Sequence, residues 1–155
     1  MSIHQSYTHV EPEPEVLDDS LPKEKQLETT ALYNKIIDCL QDEKPWMDPD
    51  FNINDLAKRL MTNRTYISIA IKKGAGVNFH TLLSSFRINE AKKLLLFSAD
   101  KSENIDEIME KCGFRNRGTF NIAFNKNTGM SPGQFRSYSR LVTLPGNDAN
   151  DPVEQ

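Results

Sequence analysis

The chain has 155 residues, of which 37% are hydrophobic and 26% are charged, and this is enough for one domain with a modest core and polar tails. No stretch approaches the roughly 20 consecutive apolar residues that a membrane helix needs, and residues 1–16 lack the apolar centre of a signal peptide. A membrane-spanning or secreted protein is therefore not expected, and we predict a cytoplasmic one.

The net charge of −3 hides an uneven distribution of charge along the chain. Residues 1–51 carry 4 basic and 12 acidic side chains, residues 52–140 carry 15 basic and 7 acidic ones, and residues 141–155 carry 3 acidic ones alone. A basic middle between acidic flanks indicates a polyanion as the partner of the middle. On charge alone, a solvated lysine and arginine surface explains the pattern equally well.

Both ends of the chain are polar and acidic. Residues 1–20, in which two prolines alternate with glutamate, are typical of a disordered arm or linker, and residues 141–155 are typical of a disordered tail. Between Pro22 and Glu43 apolar residues recur at helical spacing. Lys44-Pro45 ends that predicted helix, because a residue before proline avoids the helical region.

The middle of the chain contains an internal repeat. Residues 52–56 align with residues 104–108, and the likeness continues to the end of each copy. Each copy is about 25 residues long and is predicted to form a helix, a tight turn and a second helix. We therefore place one helix-turn-helix unit at residues 52–76 and another at residues 104–129.

Helix-start and helix-stop signals support the first unit. Asn52 and Asn63 are placed to cap its two helices, and Met61-Thr62 is placed to form the turn between them. Glycines end helices readily because they adopt the left-handed conformation. Gly74 and Gly76 are therefore predicted to stop the second helix.

The second unit carries similar signals. Asn104 and Glu107 are predicted to form a capping box at its first helix. Gly113 marks the turn, Asn116 is placed to cap the next helix, and Gly129 is placed to end it.

Two further helices complete the predicted domain, which spans residues 21–140. A long helix over residues 78–97 links the two units, and a final helix over residues 131–139 begins with Ser131 as its cap and Gln134 at the capping-box position. No stretch alternates in the manner of a strand, so the sequence predicts an all-α fold.

Two helices joined by a tight turn can place the second helix in the major groove of DNA, which is wide enough for one α-helix. Two such units on one rigid linking helix would hold their second helices a fixed distance apart. Successive major grooves on one face of DNA lie about 34 Å apart. A single chain is therefore predicted to read two groove segments.

The two predicted reading helices carry side chains suited to DNA. Arginine pairs with guanine, and asparagine with adenine, in the major groove. The candidate base-reading residues on these grounds are Arg64, Thr65, Ser68, Arg117 and Asn121. The cations placed to neutralise phosphates are Lys72, Lys73, Arg115 and Lys126. Asn63 and Asn116 are expected chiefly to cap their helices and secondarily to contact phosphate.

The chain resembles the AraC/XylS transcription regulators over roughly residues 50–138. In the second unit the likeness rests on Gly113-Phe114, Thr119-Phe120, Phe124, Gly129–Pro132 and Phe135-Arg136. In the first unit and the linking helix it rests on Leu56-Ala57, Asn63, Tyr66–Ser68, Lys72, Gly76, Phe79, Arg87-Ile88, Ala91 and Leu94-Leu95.

This resemblance implies a domain of seven helices, two of which read adjacent major-groove segments. The family's base-contacting positions fall on Thr65, Ser68, Ile69, Arg117, Gly118, Asn121 and Ile122. Arg87 matches an arginine of the linking helix that has a structural role in the family. The chain departs from the family at Ile69 and Ile122, where arginine is common, and at Asn125, where lysine is usual. An isoleucine can contact only apolar groups of a base, such as the thymine methyl.

Two other classes of protein compete with this interpretation. An enzyme needs converging nucleophile, base or metal ligands, and the histidines and cysteines of this chain have no such spacing. We therefore predict no catalytic residue, metal or cofactor, and we expect Cys39 and Cys112 to be buried, reduced thiols. A helical protein-interaction module fits the apolar pattern equally well but leaves the basic middle unexplained.

The predicted partner is double-stranded DNA, with RNA polymerase as a further candidate. Most regulators of the AraC/XylS family carry a second domain for sensing or dimerisation, and this chain is too short to contain one. We therefore favour the output domain of a larger sensor over a stand-alone regulator. A sensor or dimerisation domain outside this chain is then a partner, and the expected location is the cytoplasm, in association with the nucleoid.

Overall fold

The computed structural model describes residues 22–97 and 104–142. Within these ranges the chain forms only helices, which confirms the predicted all-α fold. The α-helices are α1 (Lys23–Asp42), α2 (Ile53–Arg59), α3 (Arg64–Ala75), α4 (Phe79–Phe97), α5 (Ile105–Lys111), α6 (Arg117–Thr128) and α7 (Pro132–Val142). A short 3₁₀ helix, Pro45–Met47, lies between α1 and α2. The predicted arm (residues 1–20) and most of the predicted tail (residues 143–155) lie outside the described residues.

Two apolar cores are present, and α4 takes part in both. The first core joins α1, the 3₁₀ helix, α2, α3 and the start of α4, where Phe79 and Leu83 are buried. The second joins the rest of α4, where Ile88 and Leu95 are buried, to α5 and α6, with α7 packed against it. One continuous helix therefore links the two units, as predicted. It begins one residue later than the prediction, because the Asn78 side chain caps it by accepting from the Thr81 amide at 2.8 Å.

Asparagine caps begin the helices of both units. Asn63 accepts from the Tyr66 amide at 3.0 Å, and Asn116 accepts from the Thr119 amide at 2.8 Å. Each satisfies one of the amides that have no partner at the start of a helix. These two caps confirm the prediction.

The capping box occurs in the first unit rather than the second. Asn52 accepts from the Asp55 amide, and the Asp55 carboxylate accepts in return from the Asn52 amide at 3.0 Å. The box predicted for Asn104 and Glu107 is wrong, because the Asn104 side chain accepts from the Asp106 amide instead. Asn52, with a φ of −134°, accepts from both the Asn54 and the Asp55 amides, whereas Asn104, with a φ of −69°, accepts from the Asp106 amide and not from the next one.

The prediction that Gly74 stops the second helix of the first unit is wrong, because Gly74 lies inside α3. Its lack of a side chain lets α1 approach: a Cβ placed on Gly74 would lie 2.3 Å from Cγ of the Tyr33 ring. Gly76 alone ends the helix. It adopts the left-handed conformation, with a φ of +70°, and its amide donates to the Lys72 carbonyl.

The turns lie where the sequence predicts them. Met61, in the turn of the first unit, adopts a left-handed φ of +51°. Its side chain is almost fully exposed, so it does not have to pack against neighbouring residues. Gly113, with a φ of +81°, is buried in the turn of the second unit. A Cβ on Gly113 would lie 2.4 Å from the carbonyl oxygen of Trp46. Both backbone conformation and space therefore require glycine at that position.

The last helix begins as predicted and extends further. Ser131 and Gln134 form a reciprocal capping box, with contacts of 3.0 Å and 3.1 Å. The helix continues to Val142, so residues 141–142 of the predicted tail are helical.

Both cysteines are buried, as expected, and no disulfide joins them. Burial is the main cause that raises the pKa of the Cys39 thiol above its ordinary value, with Glu43 adding to it.

Candidate nucleic-acid interface

The helix α3 divides into a buried face and an exposed face. Ile67, Ala70 and Ile71 are buried against the first core. Arg64, Thr65 and Ser68 are exposed, as a base-reading role requires, whereas Ile69 is half-buried. Three of the four candidate reading residues of this helix are therefore exposed to a ligand.

The helix α6 repeats this division. Phe120 and Phe124 are fully buried, with their rings 5.7 Å apart and edge-on. All four of its candidate reading residues are exposed: Arg117, Gly118, Asn121 and Ile122. Ile122 is 72% exposed, and such exposure of a large apolar side chain indicates a surface available for a contact.

The two isoleucines that replace the family's arginines differ in their surroundings. Ile69 is partly covered by its neighbours, but Ile122 is open to solvent. Ile122 therefore offers more exposed apolar surface for a contact with a thymine methyl than Ile69 does.

Two of the candidate DNA cations form ion pairs within the protein. Arg115 contacts the Asp50 carboxylate, and the Arg117 Nε lies 3.4 Å from the Asp106 Oδ1. All four side chains are substantially exposed, so these pairs are weak and can be exchanged for a stronger anion. The sequence does not indicate these pairs. Asp50 lies 65 positions before Arg115, and Asp106 belongs to α5, the helix before the one that Arg117 begins.

The lysines proposed for phosphate contact occupy three different environments. The Lys72 Nζ donates to the Gly76 carbonyl at 3.3 Å, at the end of α3. Lys73 is half-buried on the same helix, whereas Lys126 is exposed on α6. Lys72 and Lys126 are therefore both exposed, and Lys126 has no hydrogen bond to the protein among those of the described residues.

Arg87 connects the second unit to the backbone at the 3₁₀ helix, which packs in the first core. Its Nε donates to the Trp46 carbonyl at 2.8 Å, and its terminal nitrogen donates to the Asp48 carbonyl at 3.0 Å. The same guanidinium lies 5.7 Å from the centre of the Phe114 ring, in the second unit. Burial is the main cause that lowers the pKa of Arg87 from its ordinary value, and Asp48 opposes it. These contacts agree with a structural role for Arg87.

Trp46 is a residue that the sequence analysis missed. It is buried, and its indole nitrogen donates to the Leu40 carbonyl at 2.7 Å. It is the single tryptophan in the chain and directly follows the predicted helix end at Lys44-Pro45. A large apolar residue at that position indicates that the segment packs back onto α1.

A membrane span and a metal site each have requirements that can be compared with the described residues. None of the described helices is long and apolar enough to cross a membrane. Among the same residues, no group of three or more histidine, cysteine, aspartate or glutamate side chains is placed to hold a metal ion.

A family model described as a helix-turn-helix domain matches residues 56–138, which is more than half of the chain. The chain is 32% identical over 101 residues to the melibiose operon regulatory protein of Escherichia coli K12, and this match covers 64% of the chain and 32% of that protein. The chain spans no more than about a third of the length of the curated relatives it matches first.

Solved structures share the fold. The C-terminal domain of the two-component response regulator yesN from Fusobacterium nucleatum is 30% identical, with a TM-score of 0.56, over 70% of this chain and 98% of that one. The DNA-binding domain of AdpA, a global transcriptional factor whose structure was solved in complex with a target DNA, has a TM-score of 0.62 at 21% identity. That match covers 74% of this chain and 97% of the other.

Proposed function

We propose that this chain, which belongs to the AraC/XylS family of helix-turn-helix transcription regulators, binds double-stranded DNA in a sequence-specific manner and regulates transcription. One observation carries the proposal. Two capped helices, α3 and α6, each present an exposed polar face that begins with an arginine, and one continuous helix links their units.

The reading residues follow from exposure and residue type. Arg64 and Arg117 each occupy the first position of a reading helix, where a long side chain can reach a base edge. The full set proposed to read bases is Arg64, Thr65, Ser68, Ile69, Arg117, Gly118, Asn121 and Ile122. The set proposed to contact phosphates is Asn63, Lys72, Lys73, Arg115, Asn116 and Lys126.

Arg115 and Arg117 would exchange partners when DNA binds. Each is paired with an aspartate on the protein surface, and a phosphate or a guanine offers a competing acceptor. The aspartates then act as internal competitors, because each ion pair must be broken before its arginine can contact DNA.

The wider role also belongs to this proposal. The chain spans a third or less of its first curated relatives, so we propose that it is the output part of a system whose sensor or dimerisation domain lies outside this chain. RNA polymerase is a candidate partner on the promoter, and the site of action is nucleoid DNA in the cytoplasm. No catalytic activity is part of the proposed role.

Selection from a random duplex pool tests this function. The full 155-residue chain would be incubated with the pool at two salt concentrations, and the bound DNA sequenced. Two enriched blocks about one helical turn apart are expected from two reading helices. Binding without enrichment would contradict specific reading. No binding at low salt would favour a helical protein-interaction module instead.

A further inference from the structure

A cleft of about 440 Å³ opens between the first half of α4 and one side of α6. His80, Thr81 and Ser84 line it from α4, and Ile122, Lys126 and Asn127 line it from α6. Ile122 is a candidate reading residue and Lys126 a candidate phosphate contact. The cleft therefore adjoins the proposed DNA surface of the second unit.

The position of the cleft relates it to the first unit as well. The helix α3 ends at Ala75 and α4 begins at Phe79, so the first turns of α4 directly follow the first reading helix. The cleft therefore lies where the linking helix passes from the first reading helix to the second.

Part of the lining has the chemistry of a phosphate contact, and the rest, which includes Ile88, Ile122 and Ala123, is apolar. No carboxylate is among its residues, whereas Lys126 supplies a positive charge and Thr81 and Ser84 supply hydroxyl groups. Within the described ranges, neither hydroxyl forms a hydrogen bond, although the neighbouring Ser85 hydroxyl donates to the Leu82 carbonyl at 2.6 Å. Serine, threonine and lysine side chains are common donors to DNA phosphates.

A second cleft on α4 provides a contrast. It lies on the side of α1 and is lined by Trp46, Phe86, Asn89 and Glu90, among others. This cleft contains Glu90 and three lysines, Lys44, Lys92 and Lys93, but none of the candidate base-reading or phosphate-contact residues. The two clefts therefore allow a comparison of positions on one helix.

We propose that the cleft between α4 and α6 holds the sugar–phosphate strand that crosses from one major-groove segment to the next. A duplex read by both α3 and α6 must carry a stretch of backbone past the linking helix. Thr81, Ser84 and Lys126 are its phosphate donors, and Ile122 lies at the border between this cleft and the base-reading face of α6. This inference rests on the proposed function and adds a third contact region to it.

Charge insertion at Ser84 tests the inference. Ser84→Lys and Ser84→Asp would be made in the full chain, with Asn89→Lys and Asn89→Asp as matched controls on the same helix but in the other cleft. A mixed-sequence 30-base-pair duplex, or the selected operator, serves as the probe, and binding is measured at 50 and 200 mM salt. Each phosphate contact contributes about −0.9 to the slope of log affinity against log salt.

The expected result is a difference between the two positions. Ser84→Lys should make the ratio of affinities at 50 and 200 mM salt about three- to fourfold larger, and Ser84→Asp should make it smaller by a similar factor. On a logarithmic scale, Asn89→Lys and Asn89→Asp should change this ratio of affinities by less than about half as much as the Ser84 variants do. Thr81→Lys, at an exposed position in the same cleft, replaces Ser84→Lys if that variant unfolds.

Phosphate ethylation interference gives a second readout. Ethylated phosphates between the two enriched blocks should weaken binding of the wild-type chain but not further weaken binding of Ser84→Asp. If the Ser84 and Asn89 variants change the affinity ratio equally, and ethylation between the two blocks does not interfere, the inference is wrong. The proposed DNA binding itself would not be contradicted by that result. Failure of the wild-type chain to bind any duplex would instead overturn the proposed function.

Discussion

The Arg87 Nε donates to the backbone carbonyl of Trp46 at 2.8 Å, although the two residues are 41 positions apart in the chain. The same guanidinium faces the Phe114 ring, and Gly113 packs against the Trp46 carbonyl. One side chain on the linking helix therefore contacts both the segment around the 3₁₀ helix, which packs in the first core, and the second helix-turn-helix unit. We therefore expect this junction, together with α4 itself, to fix the orientation of α3 relative to α6.

Replacing Arg87 with methionine should lower the free energy of unfolding by about 1–3 kcal/mol, because two carbonyls lose a charged donor in a half-buried place. Chemical denaturation of the full chain measures the change. Arg87→Lys serves as the control, since lysine keeps the charge but cannot direct two donors in one plane. Its loss should be smaller, and wild-type stability of Arg87→Met would contradict the role of the junction.

Gly74→Ala should destabilise the protein by about 1–3 kcal/mol, since the added methyl group would overlap the Tyr33 ring. Thermal or chemical unfolding measures the loss. Gly118→Ala is the matched control within a helix, because a Cβ there meets only the Asn116 Oδ1 at 3.6 Å. Alanine at position 118 should raise stability by up to about 1 kcal/mol. Equal effects at the two positions would show that α1 does not pack closely on Gly74.

Much of the fold could be predicted from the sequence because its signals are local. Caps, turns and apolar spacing depend on residues within about four positions of each other. The repeat made these signals stronger, since Asn63 and Asn116 cap equivalent helices. The capping box was assigned to the wrong unit, because its formation depends on the backbone angle of the cap as well as on residue types.

The contacts that tie the units together could not be predicted in this way. Asp50 and Arg115 are 65 positions apart, and no local pattern relates them. Gly74 carries the signal of a helix stop, but its actual role depends on a tyrosine of another helix. Pairings across elements follow from tertiary packing, which a single sequence reports only through residue type.

Asp50→Asn should raise affinity for DNA severalfold, with no change in sequence preference. The substitution removes the carboxylate that competes for Arg115 and repels phosphate. Stability should change by less than about 1 kcal/mol, because the pair is exposed. Glu43→Gln is the control, since Glu43 pairs with Arg59, which is not a candidate DNA contact. Unchanged affinity of Asp50→Asn would mean that Arg115 stays with Asp50 or does not reach the duplex.

Arg117→Ala should weaken binding to the selected operator by about 1–3 kcal/mol and relax the preference at one base position. The arginine is exposed at the start of α6. A change of preference at one base position requires that the side chain contact that base, because a phosphate contact carries no sequence information. Repeating the selection with the variant chain measures both effects. An unchanged enriched motif would contradict base reading by Arg117.

Lys73→Ala should weaken binding to all duplexes alike and reduce the salt slope by about one, because a phosphate contact carries no sequence information. Lys73 is half-buried near the end of α3, so the unfolding free energy of the variant must be measured beside its affinity. Titration of the operator and of an unrelated duplex at several salt concentrations gives the slope for each. A loss confined to the operator would instead place Lys73 at a base edge, and an unchanged slope with lower stability would assign it to packing of α3.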